Sequence, residues 1–124
     1  MSGIAVNAGS SKKPALYRSE QASAGRKLYD ANCSACHGER LEGGAGPALS
    51  GSALATLARN TRLTVGDMFA WASLQMPLNE PASLKRAEYV DIMAYILQVN
   101  GYPAGPTALN YAIGSRSNVK MSAR

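Results

Sequence analysis

The run Cys33-Ser34-Ala35-Cys36-His37 is where the residue types of this chain can do chemistry. Two thiols separated by two residues can each form a thioether with one of the two vinyl groups of a haem, while the adjacent residue delivers an imidazole to the iron on one face. Other uses of these residues fit less well. A structural zinc needs four ligands, and the chain has two Cys and one His, with no second cluster. A thioredoxin-like redox pair needs a strand and helix setting that is missing, and a disulfide would leave His37 and the glycine-rich stretch beyond it unexplained. One covalent haem c is the expected cofactor.

His37 is the sole histidine, so two imidazoles on one iron are excluded within one chain, and the sixth ligand is Met, Lys, water or nothing. Of the five methionines, Met1 and Met121 lie in the terminal stretches, while Met68 and Met93 fall in helical patterns where core filling is expected. Met76 differs. It follows a helix end and precedes Pro77, whose ring fixes the backbone of a ligand-bearing loop. With His37 and Met76 as axial ligands, no position stays open for substrate, and the soft thioether favours the ferrous state. That pattern describes an electron carrier. The rivals are a peroxidase-like haem enzyme with an open or displaceable sixth site, and a gas-binding four-helix cytochrome, which carries its Cys pair near the C-terminus.

The elements that must position these groups read as helices, with no convincing alternating strand. Ser19 is the expected cap of a first helix running to about Asn32, directly before the cysteines. A short second helix covers Ser52 to Arg59. Thr64 and Asp67 form a capping-box pattern that opens a third, Val65 to about Leu74, with Pro77 as its stop. Ser83 is the expected cap of the longest, Leu84 to about Val99, with Val90, Met93, Ala94 and Leu97 on one face and Gly101 beyond its end. The stretch Glu42-Gly43-Gly44-Ala45-Gly46-Pro47 cannot be regular structure and reads as a loop lying close to something flat.

With 124 residues, there is room for one domain with one core. Phe occurs once and aromatic residues make up 6%, a core that would gain from a large apolar prosthetic group. The longest apolar run, Ile92 to Leu97, is far short of the ~20 residues a membrane-crossing helix needs. Met1 to Pro14 show no secretory signal, yet haem attachment of this kind takes place outside the cytoplasmic membrane. A periplasmic location, with a signal removed, is therefore expected.

Charge divides the chain into three parts. Residues 1–18 form a basic N-terminal extension, 19–103 the expected haem domain, and 104–124 a basic C-terminal extension. Each extension holds three basic residues and no acid, while the domain between them is near neutral. No nucleic-acid partner is expected. Both extensions collect Gly, Ser, Asn and Pro and lack helical periodicity, so they are expected to be loosely held. Three readings of them stay open: a loose cover folded back on the module, contact with an acidic partner, and merely solubilising ends. The basic charge, with the apolar cluster Ala108, Leu109, Tyr111, Ala112 and Ile113, favours partner contact.

From about Gln21 to Gly105 the chain resembles the class I cytochromes c. The matching residues are Gly25, Tyr29, Cys33 to Gly38, Gly46-Pro47-Ala48-Leu49, Met76-Pro77 and Tyr95. Within that family it is most similar to the haem c domains and small subunits that serve quinone-cofactor (PQQ) alcohol dehydrogenases. That closer likeness rests on Leu41 to Leu49, Thr64 to Phe69 and Glu88 to Tyr95. The resemblance implies an all-α fold, about four helices wrapped around one covalently bound haem. It implies that Gly25 and Tyr29 share a face crossing the last helix near Tyr95, and that the Pro47 carbonyl accepts the Nδ1 hydrogen of His37. Leu49 joins Pro47 in the cofactor-binding set. Asn79 is the expected donor to the Met76 sulfur and Trp71 to a haem propionate, with a solvent-facing Asn and a core Trp as the alternatives. Arg59 and Arg62 are expected on a solvated face rather than at propionates. The partners implied are a dehydrogenase as donor and a cytochrome or terminal oxidase as acceptor.

Overall fold

The structure, a computed structural model, describes residues 13–124. Those residues form six helices and no strand: α1 (Ser19–Asn32), α2 (Ser34–His37), α3 (Gly51–Thr61), α4 (Val65–Gln75), α5 (Arg86–Val99) and α6 (Tyr111–Gly114). The expected all-α class is observed. The four longer helices stand where the apolar periodicity placed them, and α2 and α6 are single turns.

Helix α1 begins at Ser19 itself, so Ser19 is not its cap. Gln21 does that work, its side-chain oxygen accepting from the Arg18 amide at 3.0 Å. The α1 axis crosses α5 at very short range. A Cβ on Gly25 would stand 1.7 Å from the Asp91 carbonyl oxygen, a space only hydrogen can occupy. One turn on, the Tyr29 and Tyr95 rings meet with centroids 5.5 Å apart.

The capping box of α4 forms as the sequence indicates: the Thr64 hydroxyl accepts from the Asp67 amide at 3.0 Å, and the Asp67 carboxylate from the Thr64 amide at 2.9 Å. Helix α5 starts at Arg86, two residues later than expected, and Ser83 does not cap it. The Glu88 carboxylate accepts from the Lys85 amide at 2.8 Å, and the Leu84 amide donates to the Tyr89 hydroxyl at 3.2 Å. With those amides satisfied sideways, the helix has no reason to begin sooner. Val90, Met93, Ala94 and Leu97 are buried as expected, and Tyr89, Ile92 and Ile96 join them. Among the described residues, no helix is long and apolar enough to cross a membrane.

The C-terminal segment corrects the sequence reading, because residues 104–124 are bonded onto the module rather than loosely held. The Gly105 amide donates to the Tyr17 carbonyl at 2.8 Å. Leu109 exchanges both of its backbone groups with the Gln21 side-chain amide, each at 2.9 Å. Further along, the amides of Val65 and Gly66 donate to the carbonyls of Val119 and Ser117, and Met121 donates to Leu63. Leu109 and Met121 are buried in the core. Helical periodicity does not mark such a segment. A strap needs only isolated anchors, which leave no period in the sequence. Ala108, Ala112 and Ile113 are exposed, as are the basic Arg116 and Lys120. Of the N-terminal extension, residues 1–12 lie outside the described residues. Tyr17 is buried, its hydroxyl donating to the Tyr102 carbonyl at 2.6 Å.

Replacing Met121 by Ala tests whether this segment belongs to the core. The expected loss is about 2–5 kcal/mol in denaturant unfolding. A change below about 0.5 kcal/mol is what a loosely held end would give.

Candidate haem-binding site

The chain turns from α1 directly into the cysteine pair. The Cys33 amide still donates to the Tyr29 carbonyl at 2.8 Å, and the Cys33 carbonyl then accepts from the amides of Cys36 and His37 at 3.2 and 2.9 Å. This single tight turn carries both thiols and the imidazole. Cys33 and Cys36 are free cysteines, the first half-buried and the second exposed. Burial, and secondarily the neighbouring Cys36, pushes the Cys33 thiol up to about 11. At neutral pH it is a thiol, not the reactive thiolate that a dithiol redox pair would use.

The glycine stretch folds around His37. The Gly43 amide donates to the His37 carbonyl and the Gly46 amide to the Cys36 carbonyl, both at 2.7 Å. A Cβ on Gly46 would lie 2.9 Å from the imidazole Cε1 and 3.1 Å from Nδ1. The flat object beside this loop is thus the His37 ring, and a bare glycine is what lets the backbone reach it. Immediately beyond, the Pro47 carbonyl lies 2.7 Å from His37 Nδ1. A carbonyl can only accept, so Nδ1 carries the hydrogen and Nε2 keeps its lone pair free for a metal. The loop is itself anchored. The Tyr29 hydroxyl donates to the Gly38 carbonyl at 2.7 Å, and the Asn100 amide to the Leu49 carbonyl at 2.9 Å. Leu49 is half-buried against the core.

Met76 is the first residue past α4, half-buried. Its carbonyl accepts from the Tyr89 hydroxyl at 2.6 Å and from the Ala82 amide at 3.2 Å. Trp71 and Leu74, one turn apart on α4, are 62% and 60% exposed, and Leu78 is 72% exposed. The alternative of a core Trp therefore does not hold. Asn79 is exposed in the turn after Pro77, and Arg59 and Arg62 are exposed at the end of α3. Met93 is buried and Met68 packs against the core, the filling roles expected of them, whereas Met121 is a core residue that its terminal position concealed.

The donor set suits haem: two thiols free to form thioethers, an imidazole with its lone pair released by a fixed tautomer, and a thioether on a separate loop. Apolar side chains exposed beside Met76 supply surface for a large flat group to cover. Residues 20–96 match the family described as cytochrome c oxidase, cbb3-type, subunit III. The chain belongs to that family. It is a class I c-type cytochrome, an electron-transfer protein of a haem-carrying family. Among solved structures, the sulfane dehydrogenase SoxCD from Paracoccus pantotrophus has a similar fold, with a TM-score of 0.58 and 21% identity. The match covers 86% of this cytochrome and 61% of that chain, so the cytochrome spans less than two thirds of its neighbour's length. No curated protein sequence matches it.

Three residues that serve the site escaped the sequence reading. Asn100 is fully buried and ties the Leu49 loop to the end of α5, while Tyr89 and Tyr111 bond to residues around Met76. The end signal beyond α5 is Gly101, and nothing in the spacing singles out Asn100. Tyr89 falls outside the face through Val90, Met93, Ala94 and Leu97, and Tyr111 reads as part of an apolar cluster suited to a partner's groove.

Gly46→Ala is the sharpest probe of the loop. The added methyl must displace the imidazole or the backbone, so the holoprotein yield is expected to fall and the ferric absorption spectrum to shift. An unchanged yield and spectrum would mean that the loop does not constrain His37.

Proposed function

We propose that this cytochrome carries single electrons through one haem c, held covalently by Cys33 and Cys36, with His37 and Met76 as its axial ligands. The observation that carries the reading is the 2.7 Å bond from His37 Nδ1 to the Pro47 carbonyl, because it leaves Nε2 as the only nitrogen able to bind iron. Bound haem supplies a one-electron ferric–ferrous couple. The chain's own residues do the rest. The Cys33–His37 turn holds the imidazole beside both attachment points, and the Pro47 carbonyl orients it and strengthens it as a donor. The loop after α4 presents a thioether whose softness favours the ferrous state. Leu49 and Trp71 complete the binding set, and Asn79 is the nearby donor for the Met76 sulfur.

With both axial positions taken, substrate has no place to bind, which favours a carrier over a peroxidase-like enzyme. The donor and acceptor we propose are a periplasmic dehydrogenase and a downstream cytochrome or terminal oxidase. The family description, an oxidase subunit, and the structural neighbour, a dehydrogenase, both suit a module that works beside larger redox proteins. Haem attachment outside the cytoplasmic membrane sets the proposed location in the periplasm.

Met76→Ala is expected to lower the reduction potential by on the order of 0.1 V, within the ~0.8 V range that axial ligands span, and to let carbon monoxide bind the reduced protein. Met93→Ala is expected to cost about 2–5 kcal/mol of stability with little change in potential. Potentiometric titration of both variants distinguishes the two methionines, and the reverse result would put the ligand on α5.

A further inference from the structure

Residues 76–85 connect α4 to α5, and Met76 stands at the first position of that connection. Its two ends are joined by one side chain. The Tyr89 hydroxyl, in the first turns of α5, donates to the Met76 carbonyl at 2.6 Å and accepts from the Leu84 amide at 3.2 Å. Tyr89 is 5% exposed, and both bonds are partly buried. The Ala82 amide adds a second donor to the same Met76 carbonyl.

A second tyrosine joins the same two helices from outside. Tyr111 belongs to the C-terminal strap, yet its hydroxyl lies 3.2 Å from that of Ser73, three residues before Met76. Its ring meets the edge of Phe69 at 5.4 Å between centroids and an angle of 85°. The guanidinium of Arg86, the first residue of α5, sits 4.5 Å from the centre of the same ring. Tyr111 thus engages Phe69 and Ser73 of α4 and Arg86 at the start of α5. Between those attachments lies the whole Met76 connection.

We propose that Tyr89 and Tyr111 form a clamp that holds the Met76 connection closed, making both positioning residues for the methionine sulfur. The inference rests on the reading of Met76 as the sixth ligand. To surrender the iron to an outside ligand, the Met76 sulfur must move away, and moving it strains the Met76–Leu84 bridge and the α4–α5 contact that Tyr111 makes. The clamp therefore sets how readily the sixth position opens. It also gives the C-terminal strap a redox role beyond its packing, because Tyr111 reaches the connection from a segment that carries no ligand of its own.

The test uses the full-length holoprotein with imidazole as the added ligand to the ferric form, alongside amide hydrogen exchange at Ala82 and Leu84. Tyr89→Phe and Tyr111→Leu are each expected to raise imidazole affinity roughly five- to tenfold, the scale of one net hydrogen bond. Both are expected to speed exchange at Ala82 and Leu84. Tyr111→Phe, which keeps the ring against Phe69 and Arg86, is expected to lie between Tyr111→Leu and the wild type. Met121→Ala loses stability in the strap without touching the connection, and is expected to leave imidazole affinity unchanged. If Met76→Ala binds imidazole more tightly but Tyr89→Phe and Tyr111→Leu bind it no better than Met121→Ala, the clamp is overturned alone. If Met76→Ala itself leaves the affinity unchanged, the ligation reading falls and the clamp falls with it.

Discussion

Helix α1 lies against α5 with no room for a side chain at the crossing, and the site depends on that closeness. Gly25 meets the Asp91 backbone directly, and the Tyr29 and Tyr95 rings meet at a tilt one turn further along. The C-terminal end of α1 runs into the cysteine turn, while the N-terminal end of α5 holds the Met76 connection through Tyr89. The crossing therefore fixes the distance between two groups that come from opposite sides of the chain. A side chain at position 25 would separate the helices by ångströms, and ligand geometry tolerates far less.

From that frame the imidazole is oriented by backbone alone. Gly46 lies flat against the ring and Pro47 supplies the acceptor, so no charged partner is needed to choose the tautomer. This separates orientation from charge. A carboxylate in the same role would strengthen the ligand further and pull the potential down, whereas a carbonyl fixes the ring with less electronic effect. The Asn100 side chain anchors the loop from the end of α5, so the same helix steadies the elements on both sides of the site.

How much of this was legible in the sequence varies with the kind of interaction. The cysteine–histidine motif, the Thr64–Asp67 capping box and the face through Val90, Met93 and Leu97 were readable because each is a local pattern with a fixed spacing. The start of α5 was not. Ser83 looks like a cap, but the Leu84 amide is taken by Tyr89, a choice made by tertiary packing. The C-terminal segment misled for a related reason. Its anchors at Leu109, Tyr111, Val119 and Met121 each find a separate partner, and Gln21, which grips Leu109 from α1, is 88 positions away along the chain. Composition marked this stretch as loose because Gly, Ser and Asn suit a strap that must bend around a surface as well as they suit a free end.

What unites these features is that they fit the proposed closed iron site, with the His37 imidazole on one side and the Met76 thioether on the other. The most direct measurement is the absorption spectrum of the reduced wild-type holoprotein before and after addition of carbon monoxide. An unchanged spectrum is the result this account predicts, because the proposed ligation by His37 and Met76 leaves no axial position for the gas. A shifted spectrum, showing the gas bound at the iron, would mean that the sixth position is open and would contradict it.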